Sequence, residues 1–79
     1  MQDLIANDDK VVGIKQTKKA IKEGRARKVY LALNSDIIIR DVINNLCKQA
    51  NLPVVEVETM QELGSACDIQ VGAACAAIL

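Results

Sequence analysis

The sequence predicts an α/β fold, a three-layer α-β-α sandwich, and three observations predict it. Short apolar runs alternate with segments of helical period along the chain. One of those runs, "KVYLALN", is continuously apolar and rich in strand formers, as a central strand covered on both faces must be. The 79 residues contain no linker, repeat or low-complexity tract, so residues 1–79 form one domain. A chain of this size buries roughly 60–65% of its unfolded surface, which makes its stability modest. Periodicity leaves the strand order open.

Val11-Val12 reads as a short strand ended by Gly13. Ile14 to about Glu23 reads as a helix with Gly24 as its stop. "KVYLALN" is the second strand. Ser35 or Asp36 can cap the next helix, in which Ile39, Val42, Ile43, Leu46 and Ala50 recur at helical spacing until Asn51 and Pro53 end it. "VVEV" is a third strand. Thr59-Met60-Gln61-Glu62 fits a capping box and opens a short helix that stops near Gly64 or Ala66. "AACAAIL" is a fourth buried strand, whose alanines let a helix pack close.

The formal net charge is zero, but its distribution is uneven. Residues 1–28 carry eight bases and four acids, a net of +4, and residues 29–79 carry two bases and six acids, a net of −4. An asymmetry of this kind points to a polyanionic partner. Tyr30 is the one aromatic, which argues against binding single strands by stacking bases on aromatic platforms. Cys47, Cys67 and Cys75 are odd in number and scattered. No secretory signal and no membrane-spanning run is present, so the chain reads as reduced, cytoplasmic and free of the membrane. Without histidine there is no set of about four zinc ligands, and no metal or cofactor is expected. No Cys–His or Ser–His pair and no nucleotide-binding glycine spacing suggests an enzyme.

The segment "VVGIKQTKKAIKEGRARKV" holds most of the positive charge. On a helical wheel Ile14, Thr17, Ala20, Ile21 and Gly24 share one side, and Lys15, Gln16, Lys18, Lys19, Lys22 and Glu23 the other. A face selected for solubility alone would mix signs to gain i,i+4 pairs. Here Lys15, Lys18 and Lys19 gather toward the N-terminus, where the macrodipole disfavours cations until an anion arrives. Gly13 clears room for a close approach to the free N–H groups of the first turn, which suit phosphate. These features favour polyanion binding over a merely solvated face. In "LGSACDIQVGAA", Gly64, Asp68 and Gly72 suggest a tight loop. Ile69 and Val71 then either begin the last strand and face the core, or form an apolar tip at the edge that holds the basic helix.

"GIKQTKKAIKEGRARKVYLALNSD", followed some thirty residues later by "LGSACDIQVGAACAAIL", resembles the kink-turn RNA-binding ribosomal proteins, the superfamily of L-seven-Ae and L-thirty-e, nearest to its small bacterial members. The resemblance implies a four-stranded mixed sheet within the sandwich, with a first helix shortened to about Gln2–Asn7. It implies binding of structured RNA containing a kink-turn, ribosomal or riboswitch-like, by a monomer, with the ribosome as a further partner. Carried over residue by residue, Gly13 and Ile14 allow the approach and Lys15 and Gln16 meet guanine edges at the sheared G·A pairs. Lys19 supports them, with Lys18 and Lys22 on the same basic face. Ile69, Gln70 and Val71 pack on flipped-out bulge nucleotides. An RNA helix hides its bases in a deep groove, so a distortion of this kind is what permits reading; lysine donates to guanine O6 and N7, and glutamine both donates and accepts. Gln16 stands where the family often has a carboxylate, and Asp68 where glycine is common. The rival reading is a protein-interaction module of the same fold, docking through the acidic residues Glu56, Glu58, Glu62 and Asp68.

Overall fold

In the computed structural model, which describes residues 1–79, the chain runs α1 (Gln2–Ala6), β1 (Lys10–Val12), α2 (Ile14–Lys22), β2 (Lys28–Ala32), α3 (Ile37–Gln49), β3 (Val54–Val57), α4 (Met60–Ala66) and β4 (Cys75–Ile78). The strands form one mixed sheet in the order β1-β4-β2-β3. β2 and β3 are parallel, with Tyr30 opposite Val55. β4 lies antiparallel to both neighbours, with Val11 opposite Ala77 on one side and Tyr30 opposite Ala76 on the other.

Strand alternation divides the core in two. Val29 and Leu31 of β2, with Cys75 and Ala77 of β4, face α2 and α3 and pack on Ala20, Ile21, Ile43 and Cys47. Tyr30 and Ala32, with Ala76 and Ile78, face α1 and α4 and pack on Leu4, Leu63 and Ala66. The expected sandwich is therefore present, with β2 buried on both faces as its apolar run requires. Ala20 on α2 and Ala77 on β4 are fully buried in one cluster, so small residues meet where helix and sheet lie close.

Several local readings are corrected. Ala50 is the exposed C-cap of α3, and Cys47 takes the buried place one turn earlier. Gly24 stops α2 as expected, just past its end at φ +72°, but it is exposed and does not share the buried side of the wheel. The last strand is shorter than its apolar run, because Ala73 and Ala74 belong to the preceding loop. Gly64 lies within α4 and not in the loop. The capping box is half made: Thr59 Oγ1 accepts from the Glu62 N–H at 3.1 Å. Asp36, not Ser35, caps α3, accepting from the Ile38 N–H at 2.7 Å, while the buried Ser35 hydroxyl donates to the Ala32 carbonyl at 2.7 Å.

Because β1, β2 and β3 run the same way and β4 opposes them, four connections meet at one edge of the sheet. They are the β1–α2 junction at Gly13, the β2–α3 loop, the β3–α4 loop and the α4–β4 loop. Backbone bonds tie them together there: Gly13 N–H to the Cys75 carbonyl (2.9 Å), Ala32 N–H to Ala74 (2.8 Å) and Leu33 N–H to Val57 (2.7 Å).

Candidate nucleic-acid interface

The eight bases of the first 28 residues separate into two groups. Lys10 Nζ donates to the Leu4 carbonyl at 3.0 Å, and Arg27 Nε to the Leu79 carbonyl at 2.8 Å. Arg25 pairs with Glu23 at 2.8 Å. Lys28 pairs with Asp3 at 2.8 Å and lies 5.5 Å from the Tyr30 ring centroid. The Lys28 hydrogen bond, then its charge, holds the Asp3 carboxyl below its ordinary range, and Asp3 in turn raises Lys28. These four bases hold chain ends and turns at the sheet edge opposite Gly13. Lys15, Lys18, Lys19 and Lys22 are the other four, and they enter neither ion pair of the fold. Lys15, Lys19 and Lys22 are exposed and Lys18 is half-buried.

Helix α2 presents this group because Thr17, Ala20 and Ile21 hold its other face on the sheet, with Ile14 half-buried beside them. Nine residues make only two and a half turns. Lys19 and Lys22 consequently lie in the last turn, where the macrodipole favours cations, and only Lys15 stands in the unfavourable first turn. The sequence-based expectation for Lys18 and Lys19 is corrected on this point. Thr17 is fully buried, and its hydroxyl borders the Cys75 thiol without a conventional hydrogen-bond partner.

Gly13 is the N-cap of α2, with φ +99° and ψ 160°, and supplies no side-chain cap. A β-carbon placed there would meet nothing within 4 Å. The glycine is thus required for its torsion, since an L-residue rarely adopts that φ, and not for want of space. The first N–H to be satisfied within the helix is that of Thr17, which donates to the Gly13 carbonyl at 2.9 Å. The N–H groups of Ile14, Lys15 and Gln16 find no acceptor in the chain. An open site with free donors and an unpaired lysine is chemically suited to phosphate or to base-edge acceptors.

The α4–β4 loop reaches the same edge. Ile69 is 36% and Val71 72% exposed, and neither belongs to β4, so they do not face the core. Gln70 is exposed between them. Asp68 opens the loop at φ +61°, a left-handed conformation that aspartate tolerates better than most residues.

Leu33, Ile37 and Ile38, at 38%, 61% and 70% exposure, add apolar surface where β2 leads into α3. Sequence reasoning missed them. The available signal was the triple isoleucine directly after the Asp36 cap: successive helical residues fan out by about 100° each, so three in a row cannot all face one core. The acids Glu56, Glu58, Glu62 and Asp68 are exposed and likewise outside both ion pairs. No group of three or more metal-ligating side chains exists, and no helix is long and apolar enough to cross a membrane.

A mixed-sheet sandwich that brings free helix N–H groups, Lys15 and an apolar loop to one edge, with Lys18, Lys19 and Lys22 farther along the same helix, is a small α/β scaffold with a basic face suited to a polyanion. The chain belongs to the ribosomal protein L7Ae/L30e/S12e/Gadd45 family, whose model matches residues 3–79. It is 51% identical over 69 residues to an RNA-binding protein of Geobacillus sp. (strain WCH70), covering 87% of this chain and 84% of that protein. It is 48% identical over the same length to the RNA-binding protein YbxF of Geobacillus stearothermophilus, with the same coverage. Among solved structures, the Giardia lamblia 15.5 kDa RNA-binding protein superposes with a TM-score of 0.86 at 24% identity, over 98% of this chain and 65% of that one. That likeness establishes the fold. The relatives' names and the ribosomal family agree with the expectation that the chain is not an enzyme.

Proposed function

We propose that this chain binds structured RNA at a kink-turn, acting as a single cytoplasmic RNA-binding domain, monomeric, on ribosomal or riboswitch-like RNA. The observation that carries this reading is the separation of the bases. Four are bound up in the fold, while the four lysines of α2 are left without partners beside three free backbone donors. The two relatives named as RNA-binding proteins support it. In this reading Gly13 and Ile14 admit the RNA backbone, Lys15 and Gln16 meet guanine edges, and Lys18, Lys19 and Lys22 neutralise phosphates. Ile69, Gln70 and Val71 support unstacked bases, aliphatic surface serving where no aromatic is present.

The test is a gel shift with a kink-turn RNA against a straight duplex and against the same RNA with its G·A pairs replaced by Watson–Crick pairs. Preference for the kink-turn is expected. With about four phosphates neutralised, log K should fall against log salt with a slope of roughly −3 to −4. A slope near zero removes the electrostatic account. The exposed acids Glu56, Glu58, Glu62 and Asp68 favour a second reading, in which the same fold docks a basic protein. A chain that binds none of these RNAs but is displaced from a protein complex by charge reversal of those acids would establish it.

A further inference from the structure

Helix α4 carries a glycine in its interior, where every residue but proline makes a better helix. Gly64 is buried. A β-carbon on it would stand 2.2 Å from the Val71 carbonyl oxygen and 3.2 Å from the Gly72 Cα, so the main chain of the α4–β4 loop lies directly across the helix at this residue. Two backbone hydrogen bonds pin the loop on either side of the crossing. The Ile69 N–H donates to the Gly64 carbonyl and the Ala73 N–H to the Met60 carbonyl, each at 3.0 Å. A second, milder approach occurs at Gly72, whose added β-carbon would meet Met60 Cβ at 3.1 Å. Between the pins, Ile69, Gln70 and Val71 are exposed. The contribution of α4 to the core comes from Leu63 and Ala66, for which alanine at 64 would serve the helix better. What glycine provides there is the depth at which the loop is seated.

We infer that Gly64 is a positioning residue for RNA recognition: it touches no RNA and fixes the height and direction from which Ile69 and Val71 meet the bulge nucleotides. The inference rests on the kink-turn reading above. A β-carbon at 64 lifts the loop from the helix, and the apolar tip then meets the RNA out of register with α2, whose own geometry is untouched.

The experiment uses the full chain, a kink-turn RNA and a straight duplex. Gly64→Ala is expected to lower kink-turn affinity about tenfold, on the scale of one lost recognition contact, while duplex affinity and the salt slope keep their wild-type values. In a Val71→Ala background the same substitution should cost little more, since a misplaced tip and a missing tip remove the same interaction. Gly72→Ala should act in the same direction more weakly, and it decides the matter by the same cycle if Gly64→Ala fails to fold. Unchanged kink-turn affinity in a folded Gly64→Ala chain, or losses fully additive with Val71→Ala, would overturn the positioning role. If the wild type prefers the kink-turn and Gly64→Ala retains that preference, only the positioning role falls. If the wild type shows no preference, the RNA reading falls with it.

Discussion

Two glycines bring backbone close to the same edge, and they do so for opposite reasons. At Gly13 the surrounding space is empty and the torsion is special, φ +99°. At Gly64 the torsion is that of an ordinary helix and the space is filled, 2.2 Å from a carbonyl oxygen. The first leaves donors and positive charge open toward an incoming molecule. The second closes the protein upon itself so that a short loop is held firm. Charge at one end of the edge is therefore presented by an exposed helix, and apolar surface at the other by a tightly seated loop. A substitution at Gly13 acts through strain and exposure, and one at Gly64 through displacement.

Substituting Gly13 gives the largest expected effect outside the loop. Gly13→Ala places an L-residue at positive φ, which costs on the order of 1–3 kcal/mol. In a domain of this size each 1 kcal/mol lowers the melting temperature by about 4–8 °C. Calorimetry should register the loss even without RNA, and RNA affinity should fall as well. A wild-type melting temperature would show that the β1–α2 junction relaxes freely, breaking the contrast with Gly64.

Gln16→Ala separates reading from attraction within α2. The Gln16 side chain is exposed and makes no hydrogen bond within the chain, so stability should hold and the helix should improve slightly. If Gln16 reads a guanine edge, kink-turn affinity falls by about 1–3 kcal/mol. The salt slope stays constant, because an amide neutralises no phosphate. Equal affinity of wild type and variant would reduce α2 to a basic surface.

Val71→Asp probes the loop with a somewhat smaller effect. Val71 is 72% exposed, so the melting temperature should change little. Kink-turn affinity should drop by roughly 1–2 kcal/mol, the scale of an apolar side chain left uncovered. A fall in melting temperature instead would mean that the tip is packed against the fold.

The smallest effect is a difference in rate. Burial raises all three thiols above the ordinary value of 9.0, so in the folded state they remain protonated at pH 8. Cys67, 6% exposed at the end of α4, borders the loop, whereas Cys75, fully buried, underlies α2. A thiol reagent at pH 8 should label Cys67 first and Cys75 only after global unfolding. The raised thiols also set the sign at high pH. Their contribution to stability is complete below the unfolded value and is lost as pH rises past about 9 toward the folded values. The melting temperature should accordingly decline above pH 9 and decline less in a Cys75→Ser chain compared with its own value at pH 7.

Most of the fold was legible because each element announces itself locally. The run from Lys28 to Ala32 has no polar side chain for a solvent face after its first residue, and the α2 wheel divides cleanly into apolar and basic sides. Strand order was not legible, because nothing within four residues of Cys75 records that β4 inserts between β1 and β2. The division of the bases was hidden for the same reason: Lys28 finds Asp3 across 25 positions, and Arg27 finds Leu79 across 52. The glycines at 64 and 72 signalled a tight loop, but not that its main chain lies across α4, since a backbone oxygen laid over Gly64 has no side chain by which to be recognised. Of the three isoleucines after Asp36, Ile39 packs on the core as its helical spacing predicts, whereas Ile37 and Ile38 are surface that the periodicity left unread.

The position of β4 has a consequence in time. Its residues 75–78 follow every other element in the chain, yet they lie between β1 and β2, and the Cys75 carbonyl receives the Gly13 amide that seats the start of α2. While the chain is being synthesised, α2 and its lysines emerge long before the strand that fixes their direction. Until then the nascent segment carries positive charge without the shape that selects a target, and pairings spanning most of the sequence close slowly. The direction in which α2 presents its lysines therefore depends on a strand that is made last, and the proposed discrimination among RNAs requires that strand to be in place.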